Sequence, residues 1–146
     1  MDIEIKLDPN YKTPKIIVLT DKVTDEINAL VSRISEEAPQ VIAGFRDNIL
    51  RIIEQEEIIR VYSSGGKIIA VTDSGEFFLR SRLYEIEERL DRARFVRISN
   101  SEIINLGRVK SFDLSFVGTI CVSLSDSTVT YVSRRYVSKI KKILGV

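Results

Sequence analysis

From Val41 to Ser133 the chain breaks into short runs of β-branched and aromatic residues, each closed by a turn signal, and this confines the region to a sheet-rich fold. The pattern predicts strands at Val41–Phe45, Asn48–Ile53, Glu57–Ser63, Lys67–Thr72 and Glu76–Ser81. Further strands are predicted at Phe95–Ile98, Arg108–Leu114, Thr119–Leu124 and Thr128–Ser133. Asp73-Ser-Gly75 reads as a tight hairpin turn and Ser63-Ser-Gly-Gly66 as a looser one. Helical spacing interrupts the pattern between Ser81 and Arg92, where Leu83, Ile86 and Leu90 share one face. Ser81 is placed to cap this helix, with Glu85–Arg89 and Glu88–Arg92 as i,i+4 pairs on its other face. Ser99-x-x-Glu102 has the form of a capping box, which predicts helical turns over Asn100–Ile104, with Asn105 and Gly107 suited to a left-handed stop. The chain closes on an amphipathic helix with Val137, Ile140 and Leu144 inward and lysines outward.

The first 38 residues are expected to form a separate ββα unit. Ile3, Ile5 and Leu7 alternate with polar residues over Asp2–Leu7, and Lys15–Thr20 is a second, more apolar run. Thr20 or Asp21 can cap a following helix whose face carries Val23, Ile27, Leu30, Val31 and Ile34, and Glu36-Glu37-Ala38-Pro39 ends it. That face is expected to pack on its own strands, with a dimer surface as the other option. The fold class is therefore mainly β (α+β), with unit boundaries at 1–38 and 40–146.

Composition narrows function. At 146 residues and 44% hydrophobic content the chain can bury a substantial core. There is no histidine, which removes His-based zinc sites, Ser-His-Asp and Cys-His catalysis and imidazole switching. The single cysteine, Cys121, sits in a β-patterned run and is expected to be a small core residue. One cysteine allows no intrachain disulfide, and no run approaches the roughly 18 apolar residues of a membrane span, so a cytoplasmic location is expected. The net charge of +1 conceals an asymmetry: residues 1–57 hold 7 Lys/Arg against 12 Asp/Glu, and residues 58–146 hold 15 against 9. From Ser127 onward Arg134, Arg135, Lys139, Lys141 and Lys142 meet no acidic residue, which suggests a polyanion-facing surface.

The constellations that could carry chemistry mostly fail. Ser63-Ser-Gly-Gly-Lys67 leads into a strand, whereas a phosphate loop needs Gly-x-x-x-x-Gly-Lys leading into a helix. Glu85, Glu87 and Glu88 read as a solvated helix face, and Glu54, Glu56 and Glu57 as a charged turn. No enzyme activity, cofactor or small-molecule substrate is expected. What remains is Arg134-Arg135 at a strand-to-helix junction, where one guanidinium can donate twice to guanine O6 and N7 and its neighbour can hold a phosphate. Ser133 could cap the helix, and Asn100 on another turn could bridge adenine N6 and N7 or contact backbone.

Phe95-x-Arg97-x-Ser99-x-Ser101-x-Ile103-x-Asn105, followed by Val109, resembles the central motif of the LytTR DNA-binding domain. Leu83-Tyr-Glu-Ile-Glu-Glu-x-Leu90 is similar to its helix, and Ser133-Arg-Arg-Tyr-Val137 to its closing junction. The likeness covers about residues 40–146 and is greatest to short, stand-alone bacterial regulators without a receiver domain. It implies an elongated β fold that binds double-stranded promoter DNA through turns entering successive major grooves, as a homodimer on paired direct repeats. It also implies a small co-encoded membrane protein as regulatory partner. Carried over by position, the contact regions fall at Gly66–Lys67, Ser99–Asn100 and Arg134–Arg135, with Arg135 the main base reader and Lys139 a phosphate contact. Many members have His where this chain has Ser99 and a basic residue where it has Asn100. Gly66 stands where some place a base-reading side chain, which would pass that contact to Lys67. The rival reading is a β-rich protein-binding module serving a membrane protein. For residues 1–38 the expectations are a dimerisation or regulatory module, or an extension padding the β core.

Overall fold

The structure is a computed structural model that describes residues 1–35 and 41–146, and the chain divides into two compact units, 1–39 and 40–146. In the first, the described regular element is helix α1, Asp25–Ser35. It starts later than Thr20 or Asp21. Thr20 Oγ1 donates to the Lys22 carbonyl (3.0 Å), whereas Thr24 Oγ1 accepts from Ile27 N–H (3.3 Å) and its carbonyl from Asn28 N–H (2.9 Å). The two strands expected at Asp2–Leu7 and Lys15–Thr20 do not form in the single chain: both segments run without a ladder partner, and a strand exists only as half of a pair. The expected helix end at Glu36–Pro39 lies outside the described residues.

In the second unit the described residues form ten strands and two helices. β1 (Ile42–Arg46), β2 (Ile49–Ile53), β3 (Ile58–Ser64), β4 (Lys67–Thr72) and β5 (Gly75–Leu79) precede helix α2 (Leu83–Arg89). β6 (Phe95–Ser99), β7 (Glu102–Asn105), β8 (Val109–Asp113), β9 (Ile120–Leu124) and β10 (Val129–Val132) precede helix α3 (Val137–Leu144). A seven-stranded antiparallel sheet runs β2-β1-β5-β4-β3-β7-β6, and a three-stranded one runs β10-β9-β8.

The larger sheet separates two apolar cores. On one face Ile58, Val61, Ala70, Phe77 and Ile103 meet Leu83, Ile86 and Leu90 from α2 and its end. On the other, Ile59, Val96, Ile98 and Ile104 meet Ile120, Val122 and Leu124 of β9 and Ile140 of α3. Ile58 and Val61 face the same core although three residues apart, because the β3–β4 register shifts between Ile58 and Arg60. Gly44 allows the close approach of β1 to its neighbours: a Cβ there would lie 2.6 Å from Ile53 Cδ1 and 2.7 Å from Phe77 Cβ.

Helical turns do not form over Asn100–Ile104. Glu102–Asn105 is strand β7, buried throughout and paired on both sides, by β3 and β6. Burying Ile103 and Ile104 in opposite cores outweighs the local capping signal. Asn105 is no left-handed stop either. Its buried amide donates to the Ile58 carbonyl (2.8 Å) and accepts from Gly107 N–H (2.9 Å). On α2 the cap falls at Arg82 rather than Ser81. The expected Glu85–Arg89 and Glu88–Arg92 pairs do not form, and Arg89 donates to the Val41 carbonyl (3.2 Å). Cys121 is half-buried, outside both cores.

Candidate nucleic-acid interface

Three chain reversals meet along one end of the larger sheet. The first is the β3–β4 hairpin, whose two-residue turn Gly65–Gly66 has φ of 57° and 78°; both values require the left-handed region, which glycine enters without strain. Lys67 follows it, exposed, with Nζ 5.4 Å from the Phe78 ring centroid. The second is the β6–β7 turn at Asn100–Ser101. It lies beside the first because Ser63 N–H donates to the Ser101 carbonyl (2.8 Å) across β3 and β7. The third is the 3-10 turn Arg134–Tyr136 between β10 and α3. Ser133 N–H donates to the Ile98 carbonyl (2.9 Å), and Tyr136 Oη donates to Asn100 Oδ1 (3.1 Å), which seats this turn against the second. Gly66–Lys67, Ser99–Asn100 and Arg134–Arg135 therefore form one continuous edge.

The second turn is braced from within. Arg97 donates through Nε to the Ser99 carbonyl (2.9 Å) and through a terminal nitrogen to the Asn100 carbonyl (2.5 Å), while lying 3.7 Å from a Glu87 carboxylate oxygen. Ser99 Oγ accepts from Ser101 N–H (3.2 Å). Behind the turn the buried Glu102 carboxylate accepts from Arg60 (2.7 Å) and from Thr130 Oγ1 (2.5 Å), linking β3, β7 and β10. Tyr136 and Glu102 are invisible as positioning residues in the sequence because their partners lie far along the chain, whereas Arg97 acts locally and stands in the Phe95–Asn105 motif.

The third turn is different. Arg134 lies across the backbone of the β8–β9 connection, where a Cβ on Gly118 would sit 3.5 Å from its guanidinium. Arg135 is exposed and holds no ion-pair or hydrogen-bond partner among the described residues. The expected cap from Ser133 is absent: its side chain makes no capping bond, and α3 starts at Val137, after the 3-10 turn. Lys139 is exposed on α3. In the β8–β9 connection Ser115 donates through Oγ (2.6 Å) and N–H (2.9 Å) to Asp113, and these bonds hold that carboxyl below its usual range.

Two further cations border the first turn. A groove of about 810 Å³ is lined by Ser63, Gly66, Lys67, Phe78, Arg80 and Arg82. Arg80 also stacks on Phe45, 4.1 Å from the ring centroid. The Arg80-x-Arg82 pair at the end of a strand was the available signal in the sequence. Among the described residues no cluster of His, Cys, Asp and Glu could hold a metal ion, and no helix is long and apolar enough to cross a membrane.

The family model of the LytTR DNA-binding domain matches residues 48–145. The chain belongs to the LytTR family. Relatives include an HTH-type transcriptional regulator of Staphylococcus aureus (strain COL), 29% identical over 147 residues that cover 100% of this chain and 99% of the relative. Another, from S. aureus (strain MSSA476), is 31% identical over 126 residues, 86% of this chain and 85% of the relative. Among solved structures, the LytTR DNA-binding domain of a methyl-accepting/DNA response regulator from Bacillus cereus superposes with a TM-score of 0.71 at 19% identity, covering 75% of this chain and all of that one. The mainly β LytTR fold expected from the sequence is thus the fold observed. The relatives' name refers to a helix-turn-helix, yet among the described residues of this LytTR chain five strands separate α1 from α2 and five more separate α2 from α3.

Proposed function

We propose that this LytTR protein is a cytoplasmic, non-enzymatic transcriptional regulator that binds double-stranded promoter DNA as a homodimer on paired direct repeats. Gly66–Lys67, Ser99–Asn100 and Arg134–Arg135 are its three contact regions. The observation that carries the reading is the continuous edge they form, on which Lys67, Arg134 and Arg135 have no ion-pair partner among the described residues. Unpaired cations along a row of turns can follow a phosphate backbone, while the amide and guanidinium groups between them reach base edges. Arg135 is the base reader, Asn100 a second contact, and Lys139 holds a phosphate. Among the described residues strands separate the three α-helices, which favours reading by turns between strands. A small membrane protein as regulatory partner belongs to the same reading and rests on the family resemblance.

Selection of bound sequences from a random DNA pool tests this. The expected product is a pair of short direct repeats spaced by about 10 base pairs, one helical turn. A pool that shows no enrichment overturns the regulator reading in favour of a protein-binding module.

A further inference from the structure

No residue from Met1 to Ile34 is buried. Ile3, Ile5, Leu7 and Leu19 are 83–95% exposed, although Ile3, Ile5 and Leu7 stand at the alternating spacing of a strand with one covered face. A unit of fewer than about 40 residues seldom holds itself together without a metal, disulfides or a second chain. Unpaired extended backbone with an apolar face is a template for another strand.

We propose that residues 1–35 are a dimerisation arm completed by a second copy of the same chain. Ile3–Leu7 pairs antiparallel with its counterpart about Ile5, and α1 packs antiparallel on the partner's α1. This deepens the homodimer of the proposed function and rests on that reading for its role, but the interface itself needs no DNA.

A twofold interface must be complementary to itself, and Ile3–Leu7 meets that condition. Centring the strand pair on Ile5 sets Ile3 opposite Leu7 and Ile5 opposite its own copy, so every apolar residue of the segment meets another. The same register sets Glu4 opposite Lys6 twice on the other face, and Asp2 opposite Asp8 twice at its solvent-exposed ends, where the like charges limit the pairing to Ile3–Leu7. Helix α1 repeats the logic. Its first turn carries Asp25 and Glu26 and its last turn Arg33, so antiparallel packing brings each acidic end to the partner's basic end. Ile27, Leu30 and Ile34, only half covered in the single chain, form the stripe between them.

The test is the mass of the full chain in solution without DNA, by sedimentation at micromolar concentration. The wild type sediments as a dimer and Ile5→Glu as a monomer. Glu4→Lys and Lys6→Glu each weaken the dimer by roughly 3- to 30-fold, because each sets like charges opposite one another twice. The double variant Glu4→Lys/Lys6→Glu recovers the wild-type constant. A monomeric wild type, or a dimer indifferent to Ile5→Glu, overturns the proposal. Single variants without effect, or a double variant without recovery, overturn the Ile5-centred pairing. The thermal transition of the 40–146 unit, which has its own two cores, is the folding control. Titration on one isolated repeat separates the two proposals: an Ile5→Glu monomer still binds it, whereas a stable dimer that selects no DNA leaves the arm standing and sinks the regulator reading.

Discussion

The turn at Ser99–Asn100 and the turn at Arg134–Tyr136 are neighbours in space and opposites in construction. Around the first, Arg97 holds two carbonyls, Ser99 folds onto Ser101, and Tyr136 donates to the Asn100 side chain. In the second, Arg135 projects with no partner among the described residues. The difference concerns when conformational entropy is lost. Ordering a long side chain on binding costs about 0.5–1.5 kcal/mol; Asn100 has met that cost during folding, and Arg135 meets it on the ligand. The braced turn is thus suited to orientation, and the free guanidinium to strong bidentate contact with whichever guanine it reaches.

The largest effect is expected where the bracing originates. Glu102 accepts from Arg60 and Thr130 and joins the two sheets behind both turns. Glu102→Ala strands the Arg60 guanidinium, whose Nε already lacks a hydrogen-bond partner. The loss is expected at about 3 kcal/mol of unfolding free energy, at the low end for a broken buried pair, since Arg60 keeps some solvent access. Urea denaturation measures it, and a midpoint unchanged from wild type removes Glu102 as the common support.

Two smaller changes separate the roles of the two turns. Arg135→Ala should weaken a selected site by roughly 1–3 kcal/mol and relax preference at one base pair. Tyr136→Phe removes only the hydroxyl that orients Asn100, so about 1 kcal/mol is expected, with specificity blurred at the base pair beneath Asn100. Gel-shift titrations against single-base variants of the site resolve both. Equal losses from the two, spread evenly over every base pair, would mean that neither turn discriminates bases.

Much of this architecture was legible because hairpin chemistry is local. Gly65-Gly66 and Asp73-Ser74-Gly75 set their turn conformations locally, through glycines that adopt positive φ for want of a Cβ, and the strands beside them follow. β7 departs from its local signal for the same reason: Ser99-x-x-Glu102 is a local helix signal, while burial of Ile103 and Ile104 in opposite cores erases the alternation that marks a strand. The helix signal lost because Glu102 is committed to Arg60, 42 residues away. In the candidate interface the Arg134-Arg135 pair stands out by charge, and the family resemblance singles out Arg135 within it. The partners that hold Asn100 do not, since the Tyr136 hydroxyl reaches it across 36 residues. The unpaired segments before α1 mark a further limit, because their period-2 pattern specifies a strand without naming the chain that pairs with it.

The smallest expected effect is at Lys139, and its value lies in its kind. Lys139 is exposed on α3, beyond both turns, with no ion pair among the described residues. A cation that only neutralises a phosphate releases a counterion on binding, and its loss lowers the slope of log affinity against log salt by about 0.9. Lys139→Ala should therefore weaken selected and unrelated sequences by the same factor, with the deficit shrinking as salt rises. Arg135→Ala should instead lose more on the selected site than on unrelated DNA at every salt concentration. Titrations of both variants on both DNAs between 50 and 200 mM salt, roughly the range over which such slopes are readily measured, tell them apart. A sequence-selective loss at Lys139 would move base reading onto α3 and away from the turns, ending the contrast between a braced contact and a free one.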